Sequence, residues 1–314
     1  MKIDDIDAFV ATVRCQSISL AAEALQLTQS AITRRVQNFE EELGVELLDR
    51  TTKPPRPNPM GNIVYEQCRV VLREVDELRE IVGSDGAPAG TFRLGIIQAI
   101  GDVVLLKALK ELRATYPDLS TLVSTGWGTQ LIAKVANGEL DAAAGLFPAT
   151  KVLPENVIGR TLGRVDLVVL AAKGTMPKRS YKLRDCHHVG WVLSPEGCDF
   201  RAVLQRALSE QGLSYNICLE SFGADLQLGL IAGGLGLGLM PLPQVQRSPH
   251  WKQLDLVSIK DFKPILDIWL VQSRLPTPLQ QAVDFFSNSV AAAFADHAAI
   301  VSLLPKEAER QNTT

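Results

Sequence analysis

Between Thr28 and Leu43 two kinds of side chain share one helical repeat. Ile32, Val36, Phe39 and Leu43 recur at about 100° per residue on one face, while Ser30, Thr33, Arg34 and Gln37 fall on the opposite one. Short hydroxyls, an amide and a guanidinium displayed together can bond phosphate oxygens and the base edges of a major groove. The same wheel puts Gln29 and Arg35 on the flanks, so Arg35 reaches a phosphate at best. Charge placement points the same way: residues 24–39 hold no charge besides Arg34 and Arg35, and from Arg50 to Tyr65 the basic Arg50, Lys53 and Arg56 meet no acid. An ordinary solvated helix face explains the first segment alone, but not the second basic segment following it.

Elsewhere, nucleophile and base chemistry is sparse. The histidines are His187, His188, His250 and His297, and no base–nucleophile pair is visible among them. The glycine run 233–238 fails the dinucleotide pattern, because Leu239 and Pro241 stand where a glycine is required, and neither a P-loop nor G-x-S-x-G occurs. Cys186, His187, His188 and Cys198 fit no usual zinc spacing. The five cysteines form no C-x-x-C pair, which argues against a disulfide framework and for a reducing compartment. These features exclude the common enzyme classes and predict no cofactor and no metal.

The elements that position these residues read clearly in outline. Ile6, Phe9, Val10 and Val13 stripe one helix, and Leu20, Ala21, Ala24 and Leu25 a second. A third starts at the Thr28 cap and stops at Gly44. A basic, proline-rich loop follows, and Asn58-Pro59 opens a helix to residue 82. In it Val64, Cys68, Val71, Val75, Leu78 and Val82 are spaced 4, 3, 4, 3, 4, a heptad seam. Lying between two domains with little sequence beside it to pack on, this helix is expected to pair subunits. Residues 83–90 are a hinge by composition. Strands then alternate with helices: Phe92–Ile97, Leu119–Thr125, Leu140–Phe147, Asp166–Ala172, Val189–Leu193, Ile217–Ser221 and Leu235–Met240. That alternation predicts a mostly parallel sheet covered on both faces, long enough for two lobes.

Taken together, SISLAAEALQLTQSAITRRVQNFEEELGVELLDRT (17–51), GTFRLGI (90–96), the segment Gly126–Asp141 ending in NGELD, and IAGGLGLGLMP (231–241) resemble the LysR-type transcriptional regulators over about residues 2–290. The resemblance implies an α/β protein of three parts. A winged helix-turn-helix DNA-binding domain spans 1–59, a linker and dimerisation helix 60–82, and, after a hinge at 83–90, an effector-binding domain 91–290. The last resembles two-lobed periplasmic binding proteins, with 91–164 plus 264–290 in one lobe and 165–263 in the other; 291–314 is a C-terminal extension. It implies that Thr28, Gln29, Ser30, Thr33 and Arg34 contact DNA, with Lys53 and Arg56 on the wing. Ser30 stands where the family usually has proline, and Pro54, Pro55, Pro57 and Pro59 stiffen the wing. Implied partners are double-stranded DNA with a dyad operator, a small-molecule effector, a second copy in a homodimer and homotetramer, and RNA polymerase.

Ligands of such lobes sit beyond the carboxyl ends of strands, near helix N-termini. Strand ends here supply Gln98, Ala99, Trp127, Gly128, Thr129 and Phe147 in the first lobe, and Ser194, Pro195, Glu196, Phe222 and Gly223 in the second. Ala99 and Gly128 replace the hydroxyls that carboxylate-binding relatives often show, and Trp127 with Phe147 suggests an aromatic or larger apolar effector. Cys198 lies where the peroxide-sensing branch has its reactive cysteine; Arg201 would favour a thiolate and Cys218 could resolve it, giving a redox-sensing alternative. A second alternative is a small-molecule binding protein whose N-terminal helices only dimerise. Net charge does not decide: the chain sums to −3, and residues 1–60 hold seven basic and nine acidic side chains. The acidic N-terminus lacks an apolar signal core, and Leu228–Pro243 is too short and glycine-rich to span a membrane, so a cytoplasmic location is expected.

Overall fold

Apolar spacing builds the N-terminal helices, α1 (Ile3–Cys15), α2 (Ile18–Ala24) and α3 (Gln29–Leu43). The structure, a computed structural model, describes residues 1–52, 54–83, 87–186, 188–214, 216–275 and 277–302, in two units, Met1–Gly86 and Ala87–Thr314. Lys53 and His187 lie outside the described residues, as do the Val82 side chain and residues 303–314 of the C-terminal extension. In the first unit Phe9 and Phe39 meet at 5.5 Å between ring centroids, with Ile6, Ile32 and Val36 buried around them. Ser17 caps α2 by accepting from the Leu20 amide (3.3 Å), and Thr28 caps α3 by accepting from Ala31 (3.2 Å). Gly44 ends α3 in the left-handed region at φ +67°, where a side chain would be strained. Three stripe residues turn out exposed. Leu20 and Ala24 face outward because α2 has only two turns and lays Ala21 and Ala22 on the core; Leu43 lies past the core's edge in the last turn of α3.

Strands β1 (Leu48–Asp49) and β2 (Arg56–Pro57) pair antiparallel to form the wing, Leu48 opposite Pro57. Helix α4 (Pro59–Gly83) follows, with the Asn58 carboxamide oxygen accepting from the Gly61 amide at 2.7 Å. Its heptad seam is divided. Val64 and Cys68 turn into the core of their own unit, and Cys68 is 5% exposed; α1 is the surface against which α4 packs. The expectation that these residues pair subunits is corrected by the burial of Cys68 and by the packing of partly buried Val64 on the same core, and the expectation that α4 has little beside it to pack on is corrected by α1. Val71 and Leu78 are exposed and Val75 partly so.

The second unit begins with β3 (Gly90–Ile96), α5 (Gln98–Thr115), β4 (Leu119–Thr125), α6 (Gly128–Ala136) and β5 (Ala142–Phe147). Helical crossovers make β3 parallel to both β4 and β5. A long strand β6 (Ile158–Ala172) follows, then β7 (Trp191–Leu193), α7 (Asp199–Glu210), β8 (Ile217–Glu220), α8 (Ala224–Ala232), β9 (Gly238–Pro241), α9 (Leu242–Arg247), β10 (Leu254–Val257), β11 (Ile265–Gln272) and α10 (Thr277–Ser302). The expectation of a mostly parallel sheet fails here. β7 and β8 are parallel, but β6 runs antiparallel to β9, β10 and β11, and β11 antiparallel to β5. The antiparallel pairs come from β11, which enters between β5 and β6 and runs opposite to both, and from β9 and β10, which run opposite to β6. Up to Asp166, β6 pairs with β11; from Leu167 onward it pairs with β9 and β10. One strand therefore belongs to both lobes. The glycine-broken, polar stretch 158–165 hid its first half from periodicity.

Candidate nucleic-acid interface and ligand cleft

On α3 the side chains of Thr28, Gln29, Ser30, Thr33, Arg34 and Gln37 are all exposed, as is Arg56 on the wing. Several are already engaged locally: the Thr28 and Ser30 hydroxyls lie 3.0 Å apart, and Thr33 Oγ1 donates to the Gln29 carbonyl at 2.9 Å. Arg35 donates to Asp4 at 3.1 Å, which offsets its charge, whereas Arg34 makes no ion pair among the described residues. Asp49 holds the wing turn by accepting from the Thr51 hydroxyl (2.6 Å) and amide (2.9 Å), and these bonds, the hydroxyl first, keep its carboxyl below the usual range.

Glu40 is the residue that sequence reasoning passed over. It is 6% exposed, and Oε1 accepts from the amides of Leu47 (2.7 Å) and Leu48 (3.0 Å) while Oε2 takes the Arg50 guanidinium at 2.5 Å. One carboxylate thus ties the recognition helix to the base of the wing, and Arg50 spends its charge internally. A signal was present: Glu40 stands four residues after Val36, an acid on the apolar face.

In the second unit a cavity of about 600 Å³ opens between the strand ends of the two lobes. It is lined by Gln98, Ala99, Trp127, Gly128, Ser194, Phe222 and Gly223, as the strand ends predicted, and also by Cys198, Asp102, Gln130, Asp199, Phe200, Gln227 and Gln244 among others. Trp127 and Phe222 stack with centroids 6.2 Å apart and ring planes at 29°. Four expected residues do not reach the lining. Phe147 is 1% exposed and lies beneath Gly128 and Gly145, where an added Cβ would come within 2.5–2.6 Å of its ring. Thr129, Pro195 and Glu196 are not part of the wall, and Glu196 stands 3.7 Å from Arg201.

Polar side chains fix the cavity's second-lobe wall. Gln227 donates to the Val192 carbonyl at 2.9 Å and accepts from the Ser194 hydroxyl at 3.3 Å, locking α8 to β7. Asp199 opens α7. Its carboxylate lies against Gly128, where an added Cβ would stand 2.8 Å from Oδ2. Burial pushes its carboxyl up to about 6, partly opposed by the positive charge of Lys151.

The thiol chemistry expected of Cys198 is not supported by its surroundings. Cys198 is 6% exposed, and burial raises its thiol above the ordinary value despite amide bonds from Arg201 and Phe200 that lower it. Arg201 does not supply a free positive charge, because it donates to Glu220 at 2.6 Å. Cys218 is exposed, with its sulfur donating to the carbonyls of Trp191 and Leu235. Among the described residues no group of His, Cys, Asp and Glu is arranged to hold a metal.

A winged helix-turn-helix followed by a long helix and a cleft between two α/β lobes defines a ligand-responsive, DNA-binding regulator. Residues 3–62 match the family described as bacterial regulatory helix-turn-helix protein, lysR family, and residues 85–295 match LysR substrate binding domain; the chain belongs to the LysR family of transcriptional regulators. It is 29% identical over 244 residues to the HTH-type transcriptional regulator GltR of Bacillus subtilis, covering 77% of this chain and 80% of that one. In fold it is similar to a full-length cysteine-to-aspartate variant of OxyR from Pseudomonas aeruginosa (TM-score 0.71, 21% identity, 92% and 94% of the two chains). It is also similar to CbnR in complex with its target DNA (TM-score 0.62, 18% identity, 93% and 100%). The family regulates transcription and does not catalyse a reaction; it binds DNA and small-molecule effectors and forms oligomers. Among the described residues no helix is long and apolar enough to cross a membrane.

Proposed function

We propose that this regulator acts in the cytoplasm and binds a dyad operator as a homodimer, each subunit laying α3 in a major groove. Gln29, Ser30, Thr33, Arg34 and Gln37 face base edges and phosphates, Thr28 holds the helix start, and Lys53 and Arg56 take backbone phosphates from the wing. The exposed part of the α4 seam, Val71, Val75 and Leu78, pairs subunits, and two dimers make a homotetramer. A small molecule in the inter-lobe cavity shifts the protein between two states that it binds with different affinity. RNA polymerase is a further partner of the DNA-bound form.

The observation that carries this reading is the sorting of charge on the head. Arg35 and Arg50 are matched by Asp4 and Glu40, which leaves Arg34 as the exposed cation of α3 with no ion pair among the described residues. Fluorescence anisotropy on the DNA upstream of the gene, over a salt series, tests it. Binding should fall steeply with salt, and Arg34→Ala should cost about 1–3 kcal/mol if it reads a base. Arg35→Ala should cost less, since its charge is already paired. Unaltered operator binding by Arg34→Ala would overturn the assignment.

A further inference from the structure

The inter-lobe cavity has a charge pattern of one sign. Asp102 and Asp199 line it, and no lysine, arginine or histidine does so among the described residues. Lys151 acts on Asp199 through space, but it sits 5.3 Å from the centroid of the Phe147 ring and is not part of the wall. The N-terminus of α6, which would ordinarily attract an anionic ligand, is faced instead by the protein's own carboxylate: Asp199 lies against Gly128, the first residue of that helix. An incoming carboxylate would find that place taken and would be repelled by its occupant.

An independent observation concerns Gln244. It is 6% exposed, lines the cavity, and donates through Nε2 to Asp102 Oδ2 at 2.7 Å. An ionised carboxylate only accepts, so this bond fixes which end of the amide is oxygen. Gln244 Oε1 then accepts from nothing among the described residues. A buried acceptor without a donor is costly, and a ligand N–H would relieve it. Beside these acceptors stand the stacked faces of Trp127 and Phe222, and an indole face is the best of the aromatic surfaces for a cation.

We propose that the effector of this cleft is an organic cation: a compact aromatic or apolar body carrying a protonated amine, with the body against Trp127, Phe222 and Phe200 and the ammonium toward Asp199 and Asp102. This rests on the cleft being the effector site and adds the chemical class of its ligand. Burial raises the Asp199 carboxyl to about 6, with Lys151 partly opposing, so it still carries charge at neutral pH for a bound cation to meet.

Shape-matched probes separate charge from fit: phenethylamine, phenethyl alcohol and hydrocinnamate, then tryptamine, tryptophol and indolepropionate. Each is titrated by calorimetry into the full chain at neutral pH. The amine of each set should bind about tenfold tighter than its alcohol or acid, and Asp199→Asn should remove that advantage, bringing amine and alcohol to similar affinity. Phe222→Ala, at an exposed ring, should weaken whatever occupies the cleft. If an acid binds best and Phe222→Ala weakens it, the cleft stands and the cation proposal falls. An amine indifferent to both substitutions binds elsewhere, and the cleft reading falls with it. Heat from none of the six overturns the cation proposal.

Discussion

Replacing Glu40 tests whether the recognition helix and the wing form one mechanical piece. In Glu40→Ala the amides of Leu47 and Leu48, residues that are 0% and 5% exposed, lose their acceptor. Each buried donor left unmade costs about 1–3 kcal/mol, so the pair costs about 2–6 kcal/mol. The Arg50 bridge adds little, because that side chain is half exposed. Glu40→Gln keeps a carbonyl oxygen where Oε1 stands and gives up chiefly the bridge and the acceptor's charge, for about 1–2 kcal/mol. The chain offers an internal control: Trp127, Trp191, Trp251 and Trp269 all lie in the second unit. In urea, the far-ultraviolet ellipticity of Glu40→Ala should show an early transition while the tryptophan emission transition stays in place. Amide exchange over residues 45–50 should rise in the folded protein. Equal losses in the alanine and glutamine variants, or coincident transitions matching the parent chain, would refute the reasoning.

Three further outcomes follow from the geometry. The carboxyl of Asp199 is raised from 3.8 to about 6 on folding, so the folded chain holds that proton more tightly, and ionising it lowers stability as pH rises through this interval. Asp199→Asn should therefore stabilise the second unit by about 2–3 kcal/mol at neutral pH and by nothing below about pH 4; an equal gain at both, read by tryptophan emission in urea, contradicts this. In timed alkylation with iodoacetamide followed by peptide mass spectrometry, exposed Cys218 should react before buried Cys198, whose raised thiol delays its thiolate to higher pH. Prior labelling of Cys198 would restore the redox alternative. On α4, Leu78→Asp should lower the mass seen by light scattering without destabilising the head, whereas Cys68→Ser should destabilise the head and leave the mass alone. The reverse pattern would return the seam to its undivided form.

What the sequence disclosed depended on whether one residue served one partner. The face of α3 was legible because its apolar side has a single core to meet, and the strand ends yielded seven cavity-lining residues because strands deliver side chains in fixed order. The α4 seam was misread for the opposite reason: an unbroken heptad is shared between α1 and an exposed stretch, and spacing carries no mark where one ends. Phe147 was misassigned because the last residue of a strand can point to either side, and Gly145 of the same strand with Gly128 at the start of α6 leaves room for its ring to be buried. Glu40 and Asp199 were overlooked as ordinary acids near a helix end. Their importance comes from amides and a glycine that are distant or unremarkable in sequence.

The continuity of β6 bears on how a signal leaves the cleft. Its ladder changes partners between Asp166 and Leu167 without a break in the strand, and the Leu167 amide donates to the Pro264 carbonyl at that point. Two lobes joined by a loop would swing freely, like leaves on a pin. Lobes joined by a hydrogen-bonded ribbon turn only by winding it, so the restoring torque grows with angle. Such a joint favours small rotations that spring back when the ligand leaves. Softening it, for example with a glycine at Leu167, would be expected to trade fidelity of return for amplitude.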